Sequence, residues 1–574
     1  MLPIRYEFFL ASALEKVFPT AKPAVLADGS RLSGWRGTRV SVQLVYCAAL
    51  NGAQVRINEL RFDISVTGAP CEATLRHVDL APVMLPVYET ADDHYLGYDP
   101  GLYPDILRPM AQPIVTPRLR QYRSVWLTWD IPADAQPGVY DVSITARARA
   151  IDESPNGKVV VHEGVDDLVF TQRLTLNVCH AEMPEQQLIH TEWFHTDCLC
   201  DYYGVEAMSE DYWRITENYI KTATHHGINM ILTPVFTPPL DTAVGAERPT
   251  IQLVDITVKD GAFRFDFAKL ERWLALCRKH AVRYLEIPHF FTQWGAKATP
   301  KIIATIDGRE QRIFGWDIPA TSTMYRAFLE EFIPLLRAKL TEQGYDQAHV
   351  YYHVSDEPHL DQLADYSAAR NVILDLLDGC PIIDALSNLE FYQKGVVEHP
   401  IPSADHIQPF LDAHVPDLWT YYCCGQVDKV PNRFLAMPSL RNRIMGVLMY
   451  VNRIVGFLQW GYNFYYSRCS GYLIDPYQVT DGDYAYPAGD PFIVYPGQDG
   501  APVDSLRAEV QYDGFLDMRA LSLLESLAGR EAVEALIYDG AAQPMTFDHY
   551  PHDAAYLLSL RERVADAIDA CLNN

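Results

Sequence analysis

Polar and apolar residues alternate singly along Arg39-Val40-Ser41-Val42-Gln43-Leu44-Val45-Tyr46 and along Gln54-Val55-Arg56-Ile57-Asn58-Glu59-Leu60. A period of two sends every second side chain to the same face, which is the mark of a half-buried strand. Residues 122–129, the Pro137-Gly138 turn and residues 139–145 predict a strand, a turn and a strand. Short strands punctuated by Gly and Pro from about residue 38 to about 180 predict a β-sandwich. Ahead of it, residues 8–17 predict a short helix.

Beyond Pro184 the pattern changes to strands alternating with helices. Strands are predicted at 188–194, 229–234, 284–288, 348–352, 382–386, weakly near His406, at 417–422 and at 456–460. Amphipathic helices are predicted at 211–224, 267–280, 322–343 and 360–377. About eight such alternations match the repeat count of a (β/α)8 TIM-like barrel. Residues after about 505 read as helical and are expected to pack on the outside of the barrel. The expected organisation is an N-terminal β-sandwich domain over 1–183, a catalytic barrel over 184–505 and a helical segment over 506–574.

The most telling stretch is Tyr351-Tyr352-His353-Val354-Ser355-Asp356-Glu357-Pro358-His359. An aromatic, β-branched strand stops at two adjacent carboxylates, because Pro358 cannot donate to a ladder and forces Glu357 into an extended or turn conformation. Barrels place their chemistry at the C-terminal tips of their strands. A solvated acidic turn is the bland alternative, and the other strand ends weigh against it. They supply Trp193, His195 and Asp197, then Thr237 and Asp241, then His289, Gln293 and Trp294. Asn388 and Glu390 follow the fifth strand, Trp419, Tyr421 and Tyr422 the seventh, and Trp460, Tyr462 and Asn463 the eighth. A lone Trp at a strand end is usually core, but together these residues describe aromatics and hydrogen-bonders around one acidic pair. Such a bowl suits a neutral sugar. It suits a phosphate poorly, for no Gly-rich cradle or Arg cluster is present.

Composition narrows the partners. With 47 Lys and Arg against 74 Asp and Glu, the formal charge of −27 argues against nucleic acid or an anionic membrane as partner. No basic leader and no long apolar run is visible, so a cytoplasmic protein without membrane insertion is expected. Eleven scattered cysteines fit a reducing compartment. Cys198, Cys200 and His195, like Cys423 and Cys424, lack the matched pair spacing of a zinc site, so no metal and no cofactor is expected. A homo-oligomer is left open.

Carboxylates that hydrolyse a glycoside ordinarily stand on opposite faces of the ring, which adjacent residues on one strand tip do not readily straddle. They fit the substrate-assisted variant, in which the 2-acetamido oxygen of the sugar attacks the anomeric carbon. One carboxylate then orients the acetamide N–H while the other donates and later accepts a proton. Gly315-Trp316-Asp317, Ser355-Asp356-Glu357-Pro358, Trp419-Thr420-Tyr421-Tyr422, Gly461-Tyr462-Asn463, Tyr495-Pro496-Gly497 and Ser505-Leu506-Arg507-Ala508-Glu509 resemble glycoside hydrolase family 123. They resemble more closely still its relatives called domain of unknown function 4091. The resemblance spans roughly residues 185 to 530. It implies a retaining exo-acting β-N-acetylgalactosaminidase that works through an oxazoline on glycans ending in β-GalNAc. It implies that Asp356 polarises the acetamide and that Glu357 is the general acid and base. Trp460 would wall the N-acetyl pocket, and Tyr421 or Tyr462 would hold the acetamide oxygen. A β-N-acetylglucosaminidase and a non-catalytic carbohydrate-binding protein remain as alternatives.

Overall fold

The computed structural model describes residues 4–50, 60–153, 157–162, 165, 167–539 and 544–573. Its N-terminal region is built from two five-stranded sheets. One runs in the order Ile4–Ser12, Thr38–Leu50, Arg123–Ile131, Ala73–Val83, Gly101–Pro109. The other runs Ser30–Arg36, Val169–Glu182, Gly138–Ala148, Phe62–Thr67, Ile114–Val115. Phe62, Leu127, Trp129, Ile144 and Leu176 from both sheets share one buried core, as alternating inward residues of stacked sheets do.

The helix expected over residues 8–17 is instead the strand Ile4–Ser12, paired antiparallel with Thr38–Leu50 so that Phe8 faces Tyr46. Both of its faces are covered: Tyr6, Phe8 and Leu10 enter the main core, while Phe9 and Ala11 pack with Val17 and Val45. A strand buried on both faces loses its alternation and reads as a plain apolar run, which is why periodicity misassigned it. The strand expected at 54–60 falls largely on residues outside those described.

The rest of the chain is α/β. The first four parallel strands are Ile189–Glu192, Met230–Leu232, Tyr284–Glu286 and Val350–Tyr351, and the last four are Ile383–Ala385, His399–Ile401, Trp419–Tyr421 and Gly456–Gln459. Six of them form a half-barrel parallel sheet in the order fourth, third, second, first, eighth, seventh. The fifth and sixth pair with each other, and isolated parallel bridges join Tyr352 to Ile382 and Ser403 to Tyr421. The strand expected near His406 lies slightly earlier, at His399–Ile401. Helices Glu210–His225, Ala268–Lys279, Thr323–Glu342 and Leu363–Ile373 stand close to where the apolar periodicity puts them. Among the described residues no helix is long and apolar enough to cross a membrane.

A small four-stranded sheet, absent from the expected architecture, grows from the loops after the second and third strands: Asp255–Lys259, Ala262–Asp266, Ile302–Ile306 and Arg309–Phe314. Its two hairpins turn at Asp260-Gly261 and Asp307-Gly308, all four residues having φ between 51° and 80°. Positive φ at both central positions is what a tight hairpin turn of the primed type requires.

The helix Leu506–Ala528 ties the regions together. Glu509, fully buried, accepts from Arg39 Nε at 2.8 Å and pairs with Arg76 Nη1 at 2.8 Å, both guanidiniums coming from the sandwich. Burial alone would raise the Glu509 carboxyl, but Arg39 and Arg76 outweigh it and hold the group well below the usual range. Its contribution to stability is therefore present above the ordinary carboxylate pKa and is lost as pH falls through the lower folded value. Glu509→Ala strands two buried cations, so we expect a loss of ~3–5 kcal/mol, seen as a lowered unfolding midpoint at pH 7. An unchanged midpoint would mean that water already screens the cluster.

Candidate active site

The fourth strand continues through His353, Val354 and Ser355, all fully buried. Val354 N donates to Asp384 Oδ1 at 3.1 Å and Ser355 Oγ to the Thr292 carbonyl at 2.8 Å, so this segment is clamped from both neighbouring loops. The next two peptides are clamped likewise: Trp294 N donates to the Asp356 carbonyl (3.1 Å) and Glu357 N to the Ala385 carbonyl (3.0 Å). Glu357 is thereby held at φ +43°, a left-handed backbone. Trp294 (φ +55°) and Asp241 (φ +41°) share this conformation. All three line one cavity of about 220 Å³. Non-glycine residues pay about 1–3 kcal/mol each for such backbone, which persists where the surroundings over-determine it, characteristically at functional sites.

Asp356 and Glu357 both face this cavity, and each has a dedicated partner. Gln293 Nε2 donates to Asp356 Oδ2 at 2.9 Å, while the buried Gln293 Oε1 has no partner among the described residues. Tyr421 donates its hydroxyl to Glu357 Oε1 at 2.6 Å, and the Cys423 thiol lies 3.9 Å from the same oxygen. Burial first, and the neighbouring Glu357 charge second, push the Asp356 carboxyl well above the usual range, against the Gln293 bond. Burial and the Glu357 charge likewise push the Tyr421 phenol well up.

Beneath the pair lies a fully buried polar network. His353 bridges two buried carboxylates, Nε2 to Glu286 Oε1 at 2.6 Å and Nδ1 to Asp384 Oδ1 at 3.0 Å. Burial opposes a charge on this imidazole, but the bonds to Asp384 and Glu286 win and raise it to about 9. Tyr366 also donates to Asp384. Glu286 accepts from Trp193 Nε1 at 2.8 Å, which fixes the indole that forms one wall of the cavity. Trp460 forms another, its Nε1 donating to Asp490 Oδ2 at 2.9 Å. Burial raises Asp490 to about 7, Trp460 and Arg433 pulling the other way. The Trp294 side chain is 38% exposed, at the rim.

Thus Trp193, Gln293, Trp294, Asp356, Glu357, Tyr421 and Trp460 meet at one cavity, as the strand-end reading places them. The other expected binding residues lie elsewhere. The Tyr462 hydroxyl donates to the Tyr219 carbonyl at 2.9 Å in the core, out of reach of the cavity. Asn463 is fully buried and brackets the backbone of His195, accepting from its N–H and donating to its carbonyl. Asn388 accepts from Glu390 N at the start of a short helix. Trp419 begins its strand and lies flat on Gly456, deep in the sheet interior. His289 is fully buried, its ring stacked 4.2 Å from His353 and edge-on to Trp193. Trp419 stands two residues before Tyr421 and Tyr462 two after Trp460, while Asn388, Asn463 and His289 stand three or four residues from the nearest cavity position, so nearness along the chain does not decide which side chains reach the cavity.

Asp241, named among the strand-end residues, lines the cavity too, and so do Tyr486, Arg468, Cys423 and Cys424, which were not among the expected site residues. Asp241 occupies a strand-end position and was legible as such. Tyr486, Arg468 and the supporting Asp490 come from residues 460–505, where no regular period signals structure. Two clusters could be compared with metal sites. In His289, His353 and Asp384 the two imidazoles stack at 30° and His353 has both nitrogens bonded, so their lone pairs do not converge. In His226, Asp504 and Glu509 the adjoining cations Arg39 and Arg76 already occupy Glu509. A larger groove of about 890 Å³ runs between the domains past His225 and Tyr512, but it holds no acidic pair set among aromatics.

A family 123 glycoside hydrolase from Clostridium perfringens, solved in a study of glycolipid glycan hydrolysis, superposes with a TM-score of 0.70 at 15% identity, covering 99% of this chain and 98% of that one. A glycosyl hydrolase family 2 member from Bacteroides cellulosilyticus reaches a TM-score of only 0.27 at 11% identity, over 84% of this chain and 49% of that one. No curated protein matches the sequence. The model of the glycoside hydrolase 123 N-terminal domain matches residues 18–148. The model of the glycoside hydrolase 123 catalytic domain matches residues 193–524, more than half the chain and the whole of the cavity, and the chain belongs to glycoside hydrolase family 123.

Proposed function

We propose that the protein is a retaining, exo-acting β-N-acetylgalactosaminidase using substrate-assisted catalysis, on strands that we read as a (β/α)8 barrel. Pairing from each strand to the next, with the two single bridges at the weaker joints, supports the barrel reading. The observation that carries the mechanism is that both acidic groups hang from one strand tip on consecutive residues, Asp356 bonded to Gln293 and Glu357 to Tyr421. Carboxyls so placed do not readily straddle a ring, and the substrate-assisted route needs no carboxylate nucleophile on the far face because the acetamide oxygen supplies the attack. A cavity of about 220 Å³ walled by Trp193 and Trp460 suits one terminal sugar and its acetamide.

In this reading the acetamide oxygen attacks the anomeric carbon while Glu357 gives its proton to the departing glycosidic oxygen. Asp356 accepts the acetamide N–H and stabilises positive charge on the closing oxazoline ring. Water then attacks the anomeric carbon, breaking its bond to the acetamide oxygen and restoring the acetamide, while Glu357 takes the water's proton, and the sugar leaves with its configuration retained. Two adjacent carboxyls keep one proton between them more readily than they lose both. Arrival of the N–H donor at Asp356 favours its ionised form and sends the shared proton to Glu357, where it is used. Tyr421, inside the cavity, is better placed than Tyr462 to hold the acetamide oxygen once protonation of Glu357 releases the phenol hydrogen from it. Glycolipid glycans ending in β-GalNAc are the natural first substrates to try, given what the Clostridium perfringens enzyme was studied for. Release of nitrophenol from β-GalNAc nitrophenyl glycosides, and not from the β-GlcNAc epimers, is the expected result. Activity on neither would overturn the reading.

Glu357→Gln should lose ~10²–10⁴-fold on substrates with poor leaving groups and much less when the aglycone leaves without a proton. Equal losses on both classes would exclude Glu357 as proton donor. For Asp356→Asn we expect a severe loss whatever the leaving group, and much weaker binding of a thiazoline mimic of the intermediate at an unchanged melting temperature. A lowered melting temperature with full affinity would reduce Asp356 to a structural residue.

The pH profile of kcat/KM offers a separate check. Burial and the Glu357 charge raise the Asp356 carboxyl, so a limb set by Asp356 should lie above the ordinary carboxylate range. Asp356→Asn removes this titrating group, and that limb should be absent from its residual activity. A limb unchanged in Asp356→Asn would belong to another group.

A further inference from the structure

We infer that Asp241 is the residue that reads the 4-hydroxyl of the sugar, and so discriminates the galacto from the gluco configuration. The inference rests on the glycosidase reading above and names the specificity element of the same cavity. Asp241 lies in the loop after the second strand and borders the cavity together with Trp460 and Tyr486. Its Oδ1 accepts from the Tyr486 hydroxyl at 3.1 Å. Its Oδ2 is buried and has no partner of full hydrogen-bond geometry among the described residues, although the backbone amides of Cys469 and Ser470 lie near the carboxyl. A buried acceptor left unsatisfied in the free protein is costly unless a ligand completes it.

The surroundings hold this carboxyl rigidly. Ser470 Oγ donates to the Asp241 carbonyl at 2.7 Å, and the backbone is fixed at φ +41°. Tyr486 packs edge-on against Trp460, ring centroids 5.1 Å apart, so the Asp241 side chain and the indole wall are positioned by the same ring. Burial raises the Asp241 carboxyl, and the Arg248 charge and the Tyr486 bond offset part of that rise.

The position around the sheet suggests which hydroxyl it meets. The anomeric carbon must lie against Asp356 and Glu357 on the fourth strand, where the bond breaks. Asp241 belongs to the second strand, and Tyr486 follows the eighth, the two strands that flank the first in the sheet. In a pyranose, C4 is the ring atom farthest from C1. A ring with C1 at the acid pair turns its C4 end toward the wall that Asp241 and Tyr486 share. A carboxylate oxygen there accepts a charge-assisted bond from an O–H donor.

The test uses N-acetylgalactosamine and its 3-, 4- and 6-deoxyfluoro analogues, because C–F cannot donate a hydrogen bond. Affinities are measured by calorimetry on the full-length wild type and on Asp241→Asn. Asn tolerates left-handed backbone well. Its carboxamide oxygen can keep the Tyr486 bond while its NH2 turns a donor to the cavity. The wild type should bind the 4-fluoro sugar roughly 10- to 100-fold more weakly than the parent, the worth of one hydrogen bond to a charged group. In Asp241→Asn this ratio should collapse toward one, while the 3- and 6-fluoro ratios stay as in the wild type. A role confined to structure would lower both affinities together and preserve the 4-fluoro ratio, overturning the inference. Collapse of the 3- or 6-fluoro ratio instead would overturn the assignment to the 4-hydroxyl, and failure of the wild type to bind any of these sugars would overturn it outright. Asp241-dependent binding without hydrolysis of β-GalNAc glycosides would leave Asp241 as the reader and fail the enzymatic reading alone.

Discussion

Everything in this molecule is referred to one helix, Leu506–Ala528, and to the charges that helix carries into the interior. Arg507 grips Asp105 of the sandwich and the carbonyls of Gly489 and Phe492 beside the cavity loop. Glu509 takes Arg39 and Arg76. Gln511 donates to Glu192 at the end of the first strand, where Arg433 also pairs at 2.8 Å. Asp513 and Asp517 take Arg561, and Asp517 takes Arg443 as well. Ion pairs buried this deeply add little net stability, yet removing one member leaves a stranded charge, so they specify arrangement strongly. Gly446 and Gly514 let this helix and Ser439–Val451 approach until backbone meets backbone: a Cβ on Gly446 would stand 1.8 Å from the Gly514 carbonyl oxygen. The helix therefore fixes the sandwich, the first strand and the loop after the eighth strand relative to one another.

That frame reaches the cavity through a short chain of contacts. Arg507 holds the Gly489 carbonyl; the next residue, Asp490, accepts from Trp460; Trp460 packs on Tyr486, and Tyr486 bonds Asp241. The cavity wall formed by Trp460, Tyr486 and Asp241 is in this way set by packing in the C-terminal helix. Three left-handed residues around the cavity are affordable because loops from several strands clamp their peptides at once.

The alternation of strands and helices after Pro184 was legible because those helices are amphipathic and their strands end at Pro or at polar runs. The acid pair was legible for the same reason: Pro358 stops the strand where barrels put their chemistry. The first strand, Ile4–Ser12, was not, because apolar residues cover both its faces and erase the period of two. The extra sheet after the second and third strands left a signal that went unused, since Asp260-Gly261 and Asp307-Gly308 are strong short-range hairpin cues. Tyr462, Asn463, Asn388 and Trp419 show the limit of strand-end counting. They lie two or three residues from Trp460, Ala385 or Tyr421, and the long-range path of the loops, which no local propensity reports, decides which of such neighbours reaches the cavity. Tyr486 and Asp490 had no signal at all, because their segment is irregular and is held by long-range bonds.

The charges beneath the pair bear on where the site keeps its proton. Glu286, His353 and Asp384 form a triad with two anions and one cation, and all three are fully buried. His353 pulls the Asp356 carboxyl down and Asp384 pushes it up, both less than burial and the Glu357 charge, which raise it, and the Gln293 bond, which lowers it. Removing the imidazole charge would leave the buried Glu286 and Asp384 without their shared partner and would take away a charge that lowers the Asp356 carboxyl. Losing Asp384 would take away one that raises it. His353 and Asp384, from the fourth and fifth strands, thus act on the Asp356 carboxyl without lining the cavity.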